Sequence, residues 1–162
     1  MPRRYWLMKT EPESFSIDDL KKMKKDHWDG IRNYQARNFM RDDMQIGDAV
    51  LIYHSNAKPP GIAGLARVVS EAYPDHTAFD EESKYFDPKS DPENPRWMMV
   101  DVEFVEKFER YLSLDEIKSD EELTEMPLVQ RGQRLSIQPV PSKDFTRVLK
   151  KAKAKTRRKD LS

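Results

Sequence analysis

Twelve consecutive residues, Trp28-Asp29-Gly30-Ile31-Arg32-Asn33-Tyr34-Gln35-Ala36-Arg37-Asn38-Phe39, hold three aromatics, two arginines, two asparagines and a glutamine. Aromatic faces stack on a nucleobase, side-chain amides pair with its edge, and guanidinium forks take phosphate. Tyr53-His54-Ser55-Asn56 repeats the mixture, and Trp97 follows a long polar stretch. Gln130-Arg131-Gly132-Gln133-Arg134 sets two arginines in a glycine-bearing turn suited to a phosphate. Each feature also has a plainer reading. Trp28 and Trp97 fit a core, Asn33 and Asn38 fit helix caps, and the arginines fit surface charges with packed stems.

Other chemistries find less footing. The chain has no cysteine, so thiolate zinc sites, disulfides and cysteine nucleophiles are excluded. His27, His54 and His76 stand apart, with no His-carboxylate spacing beside them, so no metal site is expected. No GxSxG, SxxK, GxGxxG or GxxxxGK motif occurs. An enzyme reading is left with Glu11 or His54 as a nominal general base for RNA or nucleotide chemistry. No cofactor is expected.

The elements that must position these groups are legible from pattern. Tyr5-Trp6-Leu7-Met8 reads as a short strand, and Ser16-Ile17-Asp18-Asp19 as a capping box opening a helix to about Lys25. His27-Trp28-Asp29-Gly30 reads as a turn before a weaker helix over Asn33 to Arg41. Ala49 to His54 is a short apolar run with the look of a buried strand, and Ile62 to Tyr73 is a second strand. Gly61 and Gly64 there imply a bulge or a close backbone approach. Residues 74–96 read as a long proline-punctuated loop, a candidate lid. Val100, Val102 and Phe104 alternate with acids over a strand running to Phe108, and Ser113-Leu114-Asp115-Glu116 opens a short helix. A last strand lies over 135–140, and Ser142 caps a helix whose apolar stripe is Phe145, Val148 and Leu149. This order favours an α+β, barrel-like domain: an antiparallel or mixed sheet that curls, with helices packed at its ends.

The 162 residues suit one domain, and hydrophobic and charged residues make up 37% and 36%. No apolar run reaches the ~18–20 residues of a membrane span, and Lys9 comes soon after Arg3 and Arg4, unlike a secretory leader. A soluble intracellular protein is therefore expected. Lysines plus arginines equal aspartates plus glutamates at 29 each, yet residues 147–162 carry eight bases and one acid. A basic, disordered tail over 151–162 on an acidic body is the expectation, and that tail alone could be what touches nucleic acid.

Five ordered blocks resemble the EVE domain family, also known as the thymocyte nuclear protein family, within the PUA-like superfamily. They are Tyr5 to Pro12, Trp28 to Phe39, Tyr53-His54-Ser55, Gly61-Ile62-Ala63-Gly64, and Leu128 to Ser136. The resemblance spans about residues 4 to 150, which makes 1–150 the domain. It implies a PUA-like fold related to YTH and ASCH domains: a curled mixed β-barrel flanked by helices. It also implies a non-catalytic module that captures a modified nucleobase in an aromatic pocket, with modified cytosines in DNA the proposed ligands and RNA left open as the polymer; a monomer is expected. Carried over, Trp28, Asn33, Tyr34, Tyr53, Ser55 and Trp97 would line the pocket, with Lys9, Thr10 and Glu11 at its rim. Arg32, Arg37, Arg131 and Arg134 would meet phosphate. A bacterial member would be cytoplasmic and a eukaryotic one nuclear.

Overall fold

The computed structural model describes residues 4–132, 134–157 and 161. Six strands form one mixed sheet. β1 (Tyr5–Thr10) lies parallel to β3 (Ala49–His54), which pairs antiparallel with β4 (Gly61–Val68). β4 in turn pairs with β7 (Asp101–Ser113), whose first residues carry the short edge strand β2 (Lys25–His27). At the other edge β1 carries β8 (Ile137–Pro139), so the order is β2-β7-β4-β3-β1-β8. A separate two-residue pair joins β5 (Tyr73–Pro74) to β6 (Met98–Met99). The sheet curls into a half-barrel flanked by four helices: α1 (Ile17–Met23), α2 (Tyr34–Asn38), α3 (Leu114–Lys118) and α4 (Ser142–Lys151).

β3 sits in mid-sheet and is buried along all its length, as its unbroken apolar run requires. Val50 and Ile52 face a core shared with Trp6, Met8, Ile17, Leu20, Met40 and Trp28. Leu51 and Tyr53 face a second core with Phe108, Phe145, Val148 and Leu149. The α4 stripe and the α1 capping box stand where pattern placed them: Ser16 Oγ accepts from Asp19 N–H, and Asp19 accepts from Ser16 N–H. Gly61 and Gly64 also behave as expected. The β4–β7 register slips between Ile62 and Gly64, and a Cβ on Gly64 would lie 2.6 Å from the Glu106 carbonyl oxygen.

Other expectations give way. The turn read over residues 27–30 starts instead on a strand: Lys25–His27 is extended because Asp101–Glu103 offers it a ladder partner. Ser142 makes no cap; Pro141 takes that position without a side-chain bond. The 74–96 stretch is built: β5 starts it, a 3₁₀ turn covers His76–Phe79, and Arg32 binds the Tyr85 carbonyl. The expected loose tail departs furthest. Ala152 and Leu161 are buried in the α4-side core, and the backbone N–H groups of Lys155 and Thr156 donate to the Glu106 carboxylate. Within that segment Arg158, Lys159, Asp160 and Ser162 lie outside the described residues, as does Gln133 of the arginine turn.

Candidate functional site

The half-barrel does not close, and a cleft of about 1010 Å³ opens where its two edges approach. One side is built from the end of β1 (Lys9, Thr10, Glu11) with Ser14, Phe15, Ser55 and the segment entering β8 (Arg134, Ser136). The other is built from β2 and the residues just after it (Asp26, His27, Trp28, Asp29, Gly30, Ile31), with Lys84 and Tyr85 reaching over from the 74–96 segment. Backbone bonds fix the frame: Lys9 N–H donates to Ser136 O at 2.8 Å, Ser55 N–H to Thr10 O at 2.9 Å, and Trp28 N–H to Val100 O at 2.8 Å.

Six of the residues selected from the sequence therefore meet in one place: Lys9, Thr10, Glu11, Trp28, Ser55 and Arg134. Trp28 contributes little surface. It is 6% exposed, packed edge-on against Phe15 with ring centroids 6.0 Å apart. Partial burial lowers the Lys9 pKa, while its ammonium sits 5.7 Å from the centre of the Tyr53 ring. His27 lies between two carboxylates, Nδ1 at 3.3 Å from Asp26 and Nε2 at 3.4 Å from Asp29. The cleft thus joins acceptor-only carboxylates (Glu11, Asp26, Asp29) to three cationic side chains (Lys9, Lys84, Arg134) beside an apolar patch of Phe15, Trp28 and Ile31.

The remaining residues lie elsewhere, each for a definite reason. Tyr53 is buried in the α4-side core, and burial raises its pKa. Asn33 is the N-cap of α2, its Oδ1 accepting from Ala36 N–H at 3.0 Å. Tyr34 and Trp97 stack on each other, centroids 4.8 Å apart, and the Trp97 Nε1–H donates to Asp87. Arg37 lies over the Tyr34 ring and donates to the Arg96 carbonyl. Arg32 is bound to Asp75, Thr77 and the Tyr85 carbonyl. Arg131 is exposed and outside the cleft lining.

His54, a nominal base, is committed to structure. Its Nε2 accepts from Ile17 N–H at 3.1 Å, which requires that nitrogen unprotonated, and burial lowers its pKa. Among the described residues no group of three or more His, Asp or Glu side chains could hold a metal ion, and no helix is long and apolar enough to cross a membrane. Sequence reasoning missed Phe15, Asp26, His27, Asp29, Lys84 and Tyr85. Asp29 and Gly30 lay inside a selected block, but Tyr85 sits in a polar stretch with no periodicity to mark it.

Comparison with known proteins gives this geometry a context. Residues 4–151 match the EVE domain. The chain is 49% identical to human thymocyte nuclear protein 1 over 164 residues, covering 90% of this chain and 72% of that one. A structure of a hypothetical protein from Leishmania major superposes with a TM-score of 0.89 at 51% identity, covering 94% and 96% of the two chains. A structure of human THYN1 in complex with 5-methylcytosine-containing DNA superposes at 0.85 and 45% identity, covering 94% and 99%. The fold extends to a YTH domain of Zygosaccharomyces rouxii, at a TM-score of 0.54 and 14% identity over 98% and 92%.

Proposed function

The chain belongs to the EVE domain family, and from that premise we propose that its cleft captures a modified base, a modified cytosine in DNA, without catalysing a reaction on it. The observation that carries this reading is the composition of the cleft: carboxylates, cations and an apolar patch gathered in one opening between the sheet edges. A carboxylate accepts from the exocyclic amine of cytosine, so Glu11, Asp26 and Asp29 suit a base edge that presents donors. The apolar patch suits a methyl on C5, the ring carbon beside the amine-bearing C4, and Lys9, Lys84 and Arg134 suit the phosphates that accompany the base. A base stacked in a duplex cannot enter such a cleft, so it is taken from a single strand or extruded, at a cost of a few kcal/mol. Discrimination then rests on the volume beside the added group and on one or two hydrogen bonds. The thymocyte nuclear protein relatives favour the nucleus for a eukaryotic bearer of this chain, and the cytoplasm serves a bacterial one.

Anisotropy titrations test this with short DNA duplexes, single strands and RNAs carrying cytosine or 5-methylcytosine, at fixed salt. Tighter binding of the modified DNA is expected. Arg134→Ala should weaken binding of every sequence alike and reduce the salt slope by about one contact's worth. Equal affinity for modified and unmodified oligonucleotides refutes the reading.

A further inference from the structure

Capture of a flat base needs an aromatic face, and the cleft's tryptophan does not offer one. Trp28 is 6% exposed and belongs to the core beneath. Phe15, at its edge, is packed against that same core. Tyr85 differs. It lines the cleft, is half-buried, and belongs to neither hydrophobic core. Its hydroxyl makes no hydrogen bond among the described residues.

The ring is nonetheless placed with care. A Cβ added to Gly30 would fall 2.5–2.8 Å from its Cζ, Cε1 and Cε2, so the ring rests directly on the glycine backbone. Gly30 has φ +81, a conformation that favours glycine, and its N–H is held by Asp75 at 2.9 Å. Arg32 grips the main chain of Tyr85, Nε and Nη2 reaching its carbonyl at 3.0 and 2.7 Å, while Nη1 reaches Asp75 at 3.0 Å. Its guanidinium lies 5.5 Å from the ring centres of both Tyr85 and Trp97. Trp97 stacks on Tyr34, and Tyr34 lies under Arg37. The alternation of rings and cations ties the 74–96 segment to α2 and holds Tyr85 at the cleft wall. Lys84 Nζ stands 5.0 Å from the Tyr85 ring centre, a cation free to exchange the ring for a phosphate.

We propose that Tyr85 supplies the stacking face for the captured base and that Arg32 is its positioning residue. This rests on the base-capture reading above. Stacking is sequence-tolerant, so Tyr85 sets affinity while the carboxylates and the apolar patch set which base is held.

The test is the affinity of wild type, Tyr85→Phe, Tyr85→Leu, Tyr85→Ala and Arg32→Lys for a short DNA carrying one 5-methylcytosine, with circular dichroism melts alongside. Tyr85→Phe is expected to bind as wild type. Tyr85→Ala and Tyr85→Leu should bind roughly 5- to 140-fold more weakly, the range that base–aromatic stacking spans. Arg32→Lys should weaken binding too, because an ammonium cannot bridge the Tyr85 carbonyl and Asp75 as the planar fork does. Tyr85→Leu binding as tightly as wild type would show a packing role and overturn the assignment, as would unchanged affinity in Tyr85→Ala. If the wild type binds no better to this DNA than to unmodified DNA, the capture reading itself fails and takes the assignment with it.

Discussion

Asp75 is the residue on which the cleft wall depends, and its removal has a size that can be worked out. Its side chain is fully buried and accepts four hydrogen bonds: from Gly30 N–H at 2.9 Å, Arg32 Nη1 at 3.0 Å, Thr77 N–H at 2.9 Å and Thr77 Oγ1–H at 2.5 Å. Bonds to an ionised acceptor contribute about 1.5–3 kcal/mol each, and breaking a buried pair costs about 3–5 kcal/mol. Arg32 keeps its bonds to the Tyr85 and Ile31 carbonyls, so its charge is not orphaned, and the lower part of that range applies. Asp75→Ala should cost about 3–4 kcal/mol. At about 2–4 °C per kcal/mol for a domain of this size, the melting temperature falls by roughly 6–16 °C. The pH dependence has a definite sign. Burial alone would raise the Asp75 pKa, but hydrogen bonds from Thr77, Gly30 and Arg32 outweigh it and hold the carboxyl below its ordinary value. Its contribution is therefore complete above the unfolded-state value near pH ~4 and fades as the pH falls through the depressed folded value. Thermal and urea melts of wild type and Asp75→Ala at pH 7 and in acid measure both effects. A melting temperature at pH 7 within about 2 °C of wild type, where even 1 kcal/mol would show, refutes the reasoning.

Two further outcomes concern the opposite face. Asp120 is buried, which pushes its pKa up, but bonds from Lys151 and Arg147 pull it down to about 2. Asp120→Asn should melt below wild type at pH 7, and melts across pH should show that deficit closing as the pH falls toward about 2. Leu161 is 4% exposed among Phe108, Phe145 and their neighbours. Leu161→Ala should cost about 2–3 kcal/mol in urea unfolding, and an unchanged midpoint would mean the chain end does not pack.

Most of the fold was legible because the signals are local. The short apolar run of β1, the unbroken apolar run of β3, the α1 capping box and the α4 stripe each arise from residues close together in the chain. What failed depends on distant partners. Lys25–His27 carries too few apolar residues to declare a strand and becomes one because β7 presents an open edge to it. The chain end reads as basic and solvated, yet its alanines and Leu161 cover a core that α4 leaves open, and Glu106 satisfies its backbone. Single apolar residues spaced among lysines give no periodic signal.

The site divides along the same line. Residue types suited to a nucleobase occur in blocks that border the cleft, but type does not say which face a side chain turns. Arginine shows this most clearly. Arg32 and Arg134 have the same chemistry toward phosphate, yet Arg32 is enclosed by three acceptors brought from residues 75–85, and Arg134 is left exposed at the cleft. A guanidinium so enclosed has few donors left for a ligand; it can act on the ligand only through what it holds. The block from Trp28 to Phe39 is thus half cleft and half scaffold. Trp28 to Ile31 border the cleft, Trp28 and Ile31 from the core beneath it, and Arg32 and Arg37 clasp the segment that carries Tyr85. The density of arginine and aromatic residues that marks this block in the sequence comes largely from the clasp. The face proposed to stack, Tyr85, lies 46 residues beyond the end of that block, in a stretch that composition alone would assign to solvent.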